Sequence, residues 1–219
     1  MLLVPAAAVP GPRRIELALF DLFRRKAPIR DIGDLADFID GNAAFLMQKG
    51  IYEYSRVRAG HYAKVLLTES GFLAAVEESR WKAFPIGLAI VGEMVDGVLR
   101  NEAGEGRLEQ LAALKRVVLA VLDRYPIPES IGQDSWREAR DELALRLDHV
   151  GLHPPKRVID IPEPYAERYF ALMPIHKKLR GQDYFTTRNY LRVSLCNIHE
   201  ELTKRIDAPG VAAQLRAMP

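Results

Sequence analysis

The chain has 219 residues, 48% of them hydrophobic and 27% charged, with a formal net charge of +2. That balance is the one expected of a soluble globular protein, and the length admits one large helical domain or two small ones. Near-neutrality excludes a global electrostatic demand for nucleic acid, so no nucleic-acid partner is expected. The single cysteine, Cys196, excludes an intramolecular disulfide and a structural zinc site built from several thiolates. A lone thiol fits a reducing compartment, and a cytoplasmic location is the expectation.

The opening MLLVPAAAVPGPRR carries its arginines after the apolar stretch, the wrong order for a secretion signal. Pro5, Pro10 and Gly11 break it further, so residues 1–14 read as an extended arm. Ile15 to Arg25 is a short amphipathic segment that ends at Pro28. Asp31 or Asp34 can cap the next helix, whose apolar stripe is Leu35, Phe38, Ile39, Phe45 and Leu46. The helical pattern persists through Tyr52 to Leu67, with a bend or break expected near Gly50 or Gly60 because glycine weakens a helix interior.

Thr68 or Ser70 is positioned to cap the following helix, which runs to Arg100. Within it, WKAFPIGLAIVGEMVDGVLR (Trp81 to Arg100) is apolar almost all the way round, the mark of a helix at the centre of a bundle. Pro85 should kink that helix or start a new one. It is also the stretch nearest to a membrane span, but it holds Lys82, Glu93 and Asp96 and falls short of the ~20 apolar residues required.

NEAGEG (Asn101 to Gly106) and YPIPES (Tyr125 to Ser130) are loops, on either side of an amphipathic helix from Leu108 to Leu122. Asp134 or Ser135 opens another helix to about Val150, and GLHPP stops it. Val158, Ile159 and Ile161 suggest a brief extended piece. Pro164 suits the first turn of a helix through Ile175, with Pro174 bending it. Asp183 caps the last long helix, Tyr184 to Ile206, and a short helix remains in the tail over residues 208–219. No strand alternation and no fixed-period repeat is visible. The reading is an all-α bundle of about seven to nine helices around a central apolar one, forming a single domain over residues 15–207.

The motifs of the common catalytic folds are missing. There is no P-loop, no GxGxxG after a strand, no GxSxG, no HExxH and no Glu-x-x-His pair. His149 and His153 are four apart, but Gly151, Pro154 and Pro155 interrupt the helix between them. Cys196 and His199 supply two ligands where structural zinc takes four. No metal and no cofactor are expected.

Polar residues at helical spacing are the remaining candidates. Asn42, Lys49 and Arg56 recur every seven residues near the meridian of Phe38 and Phe45, and a buried Lys49–Glu93 pair is one way to satisfy them. Glu93 and Asp96 lie three apart on the central helix. They are most simply a thin solvent-facing edge, and otherwise a pair that shares a proton or a cation. Arg188, Arg192 and His199 fall to one side of the stripe Leu191, Leu195, Ile198 and Leu202. They either meet an anionic small ligand or snorkel to water. Tyr52, Tyr54, Tyr62, Trp81 and Phe84 are core residues or the lining of a pocket for an apolar or ring-shaped ligand.

The segments DLADFIDGNAAFLMQKGIYEYSRVRAGHYAKVL, ESRWKAFPIGLAIVGEMVDGVLR and RNYLRVSLCNIHEEL together resemble a family of uncharacterised all-helical proteins of alphaproteobacteria. The resemblance implies an all-α fold and a bacterial cytoplasmic setting, and brings no activity with it.

Two functions are expected. One is a non-catalytic protein-interaction protein, an assembly factor, adaptor or regulator, with a protein partner and a possible homodimer. The other is a small-ligand-binding protein or enzyme with an interhelical pocket lined by Lys49, Arg56, Glu93, Arg188 and His199. Peripheral membrane contact through the N-terminal arm and basic segments is a third. Both proposed sites require Ile86 to Leu99 to be hidden from water, with its acids answered by cations from neighbouring segments.

Overall fold

A computed structural model describes residues 27–218. The expected arm over 1–14 and the helix from Ile15 to Arg25 lie outside the described residues. The fold is all-α. The helices are α1 (Ile32–Ala44), α2 (Gly50–Ala59), α3 (Ala63–Leu66), α4 (Ser70–Leu99), α5 (Arg107–Leu122), α6 (Gln133–Val150), α7 (Glu163–Ala171), α8 (Lys177–Arg180), α9 (Tyr184–Arg205) and α10 (Ala208–Arg216). A single parallel bridge, Ile29 to Ile206, is the only extended pairing among the described residues.

The central helix is α4, 30 residues long. Every residue from Ala83 to Asp96 is buried, which is why this stretch is apolar on all sides. It packs against α1, α2, α5, α6, α7, α9 and α10. Pro85 neither ends nor restarts it. An interior proline removes one backbone hydrogen bond and costs ~3 kcal/mol, and burial of both flanks of α4 outweighs that. The crossing with α1 is close at Gly87, where a Cβ would lie 2.9 Å from the Ala43 carbonyl oxygen.

Asp31 caps α1 by accepting from the Asp34 amide at 2.8 Å. α1 does not stop at Ala44. It passes through a π-helical turn, Phe45–Lys49, straight into α2. Gly50 therefore marks no break, and the chain turns at Gly60 instead, where φ is +53°. The wider π turn shifts the helical register, so Phe45 leaves the apolar stripe for the surface while Leu46 and Met47 stay buried.

Elsewhere the boundaries depart from expectation in small ways. Glu69 occupies the N-cap position of α4 with no side-chain cap. Val158–Asp160 is a 3-10 turn rather than an extended piece. α7 ends at Ala171, before Pro174 can bend it. The tail helix α10 is docked, with Val211, Ala212 and Leu215 buried.

A cluster of aromatic rings closes the side of α4 that faces the loop after α5. Trp81 meets Phe84, Tyr125 and Trp136 edge-to-face, and the Tyr125 hydroxyl donates to Asp40 Oδ1 at 2.7 Å. Phe84 is thus a core residue and Trp81 packs half-buried against the core, whereas Tyr52 and Tyr62 are exposed.

Candidate functional site

The π turn creates the feature that organises the site. Its hydrogen-bond register slips by one residue, and two of its carbonyls, those of Leu46 and Met47, accept from outside the turn, the Met47 carbonyl in addition to the Gly50 amide. Two tyrosines from other helices supply donors. The Tyr169 hydroxyl of α7 donates to the Met47 carbonyl at 2.9 Å, and the Tyr190 hydroxyl of α9 donates to the Leu46 carbonyl at 3.1 Å. Gly50 makes this approach possible, because a Cβ there would lie 2.6 Å from Tyr190 Cε1 and closer still to the Tyr169 hydroxyl.

Beside this clamp, α2, α7 and α9 part to leave a cleft of about 190 Å³. Gly50, Tyr169 and Tyr190 form its base, Tyr54, Met173 and Thr187 its walls, and Glu53, Val57 and Thr186 its rim. The surface is almost wholly apolar. Both phenols at the base are committed to backbone carbonyls, and Glu53 is paired with Arg56 at 2.7 Å. At one end, Asp183 Oδ2 accepts from the Tyr54 hydroxyl at 3.0 Å and pairs with Arg58 Nε at 3.1 Å. Asp183 thus sits at the N-cap position of α9 without capping it by its side chain.

The tyrosines here are held as neutral phenols. Burial, then the bond to Asp183, pushes Tyr54 up to about 12. Burial pushes Tyr190 up to about 12 as well, and Tyr169 well above its ordinary value.

The residues singled out from the sequence do not meet in this cleft. Lys49 is exposed, its ammonium 4.6 Å from the centre of the Phe45 ring. Asn42 donates to the Phe38 carbonyl. Arg56 lies at the surface with Glu53, and no Lys49–Glu93 pair forms. His199 is half-buried on α9, as is Cys196. The proposed lining of Lys49, Arg56, Glu93, Arg188 and His199 is therefore not brought together: Lys49 and Arg56 are exposed on the surface and Glu93 is buried with Lys156.

Glu93 and Asp96 are not a solvent-facing edge. They are 5% and 2% exposed, and each is answered by cations. Glu93 takes Lys156 at 2.7 Å. Asp96 Oδ2 takes Arg100 and Arg107, each at 2.9 Å, and Arg100 reaches on to the Val150 and His153 carbonyls. Burial pushes the Arg107 guanidinium down from its ordinary value, with Asp96 opposing that. These acids fasten the end of α4 to the start of α5 and to the loop after α6.

Arg188 and Arg192 do converge on a carboxylate, but it is the chain's own. Arg188 Nε donates to Glu163 Oε2 at 2.8 Å, and Arg192 Nε lies 3.3 Å from Glu163 Oε1. Arg192 also donates to the Ile159 carbonyl. The pair holds the beginning of α7 against α9, and an external anion would have to displace Glu163. His153 sits in a loop with Nδ1 2.9 Å from the Pro154 carbonyl, away from any helical alignment with His149. Among the described residues, no group of three or more His, Cys, Asp or Glu side chains gathers in a way that could hold a metal ion.

The residues that sequence reasoning missed are Gly50, Tyr169, Met173, Thr187 and Tyr190. The available signals were a glycine inside an otherwise continuous helical pattern and tyrosines on two later helices; nothing local joins them. No protein-family model, no curated protein and no solved structure matches the chain.

Proposed function

We propose that this chain is a small-ligand-binding protein whose cleft between α2, α7 and α9 receives an apolar, ring-sized group or a short acyl chain. The observation that carries the reading is the cleft itself: about 190 Å³, almost wholly apolar, with a base fixed by two tyrosine–carbonyl bonds. Apolar cavities of about 150 Å³ admit benzene, so a single ring has room here. The lining holds neither histidine nor cysteine, and its carboxylate and buried phenols already have partners. Binding, rather than acid–base or thiol chemistry, is what these side chains support.

Titration of the full chain with indole, benzoate and hexanoate, followed by amide NMR, tests the reading. Saturable binding is expected, with the amides of Gly50, Thr187 and Tyr190 shifting first. Thr187→Leu, which fills the wall with a larger apolar group, should abolish it. No saturable response to any probe at millimolar concentration, or shifts centred elsewhere, would overturn the proposal.

A second reading, a protein-interaction role, is supported by the outer face of the same π turn. Phe45 and Tyr52 are exposed there beside Gly41, Lys49 and Arg80 in a shallow groove. An aromatic surface bordered by cations suits an acidic amphipathic helix.

A further inference from the structure

The buried polar and charged residues among those described are Ser55, Ser79, Glu93, Asp96, Gln110 and Thr187. All but the last have partners. The Ser55 hydroxyl donates to the Ile51 carbonyl and the Ser79 hydroxyl to the Ala75 carbonyl, both at 2.7 Å and each four residues back along its own helix. Glu93 meets Lys156, Asp96 meets Arg100 and Arg107, and the Gln110 amide donates to the Leu99 carbonyl at 2.9 Å.

Thr187 is the exception. It is 6% exposed, yet among the described residues its hydroxyl has no hydrogen-bond partner. A helical threonine commonly bonds its hydroxyl to a carbonyl one turn back; here only the Thr187 amide reaches the Asp183 carbonyl, at 2.9 Å. Nor is the hydroxyl shut inside the packing. The described side-chain atoms sealed from solvent without a partner are Asp96 Oδ1, Arg107 Nη1 and Glu163 Oε1. The Thr187 oxygen keeps an opening, and Thr187 forms a wall of the cleft between α2, α7 and α9. The other polar groups of the base and walls are committed, Tyr169 and Tyr190 to backbone carbonyls and Tyr54 to Asp183.

We propose, on the reading of this cleft as a small-ligand site, that its ligand is a neutral ring compound with one uncharged hydrogen-bonding atom, an N–H or a carbonyl, that meets the Thr187 hydroxyl. A hydroxyl both donates and accepts, so either kind of atom suits it. A pure hydrocarbon would cover the hydroxyl and leave it unpaired, which disfavours that ligand. An anion would give up its hydration in a cleft whose lining holds no lysine, arginine or histidine. Glu53 stands on the rim and Asp183 at one end, and the Arg58 guanidinium there is already held by Asp183 at 3.1 Å.

The test uses ring compounds of nearly one shape on the full chain, with affinities read by amide NMR titration. Indole offers an N–H, 1-indanone a carbonyl and indene neither, while benzoate adds a negative charge. Indole or 1-indanone should bind about three- to tenfold tighter than indene, the usual worth of one neutral hydrogen bond. Benzoate should bind more weakly than the preferred neutral ring. Thr187→Val keeps the branched shape without the hydroxyl, and the preference over indene should shrink to about twofold or less. Thr187→Ser keeps the hydroxyl and should keep the preference. Circular dichroism melts confirm that both variants fold. Equal affinity of the parent for the three neutral rings overturns the proposal and leaves the cleft a binding site. The same holds for a preference that survives in Thr187→Val, for one lost alike in both variants, and for benzoate as the tightest ligand. Saturable binding of none of the four removes the small-ligand reading and the proposal together.

Discussion

Asp96 shows how much one buried side chain can hold. Its Oδ2 receives two guanidinium groups, from Arg100 and Arg107, at a position 2% exposed. Removing one partner of a buried ion pair strands the others, and that loss is typically ~3–5 kcal/mol. Asp96→Ala should therefore lower the stability of the whole domain by about that amount in urea denaturation. Arg100→Ala should cost less, since Arg107 remains to neutralise the acid. Equal and negligible effects of the two would mean that the cluster is not formed in solution. Arg188 and Arg192 act in the same spirit at a less buried place, because Glu163 between them fixes the start of α7 on α9.

At the scale of the element, the π turn is an irregularity fixed by its surroundings. Nothing in FLMQKG (Phe45 to Gly50) announces it; the preference belongs to Tyr169 and Tyr190, more than a hundred residues away. Gly50→Ala tests this. Alanine favours a helix by roughly 1 kcal/mol over glycine, so an ordinary helical site would gain stability. Here the new methyl would displace both tyrosines, and overpacking costs ~1–3 kcal/mol. A net fall in melting temperature is the expected result, together with loss of ligand response in the cleft; a rise would mean that α1 and α2 are joined by regular helix.

The same contrast explains what could be read in advance. α4 was legible because burial on every side leaves an all-round apolar pattern, and the loops at NEAGEG and YPIPES because glycine and proline leave few alternatives. Phe45 and Lys49 were misplaced because the slipped register changes which way each side chain points. The cleft was illegible because its walls come from three helices and its base from a backbone irregularity.

At the scale of the whole molecule, five tyrosines share a property. Tyr54, Tyr125, Tyr165 and Tyr190 are pushed up to about 12 from 10.0, burial being the largest cause in each, and Tyr169 goes well above 10.0. A folded-state value above the unfolded one means that the folded chain keeps its phenolic protons more tightly. That stabilisation is complete below pH 10.0 and is lost as pH rises toward about 12. A steep fall in melting temperature across this window is expected, with the absorbance of these five tyrosinates, out of eight tyrosines in the chain, appearing together with loss of helical circular dichroism. Ionisation of all eight phenols near pH 10 while the helices persist would contradict the burial of the clamp.

The two ends of the described chain are tied to one another. Ile29 exchanges backbone bonds with Arg205 and Asp207 at 2.9 Å, Gln214 donates to the Arg30 carbonyl, and Arg216 donates to the Glu102 carbonyl just beyond the end of α4. An affinity handle or a fluorophore attached after α10 would thus emerge at the pole opposite the hairpin that joins α2 to α4. Immobilised by that handle on a sensor chip, the molecule would stand with residues 56–75 facing the flow.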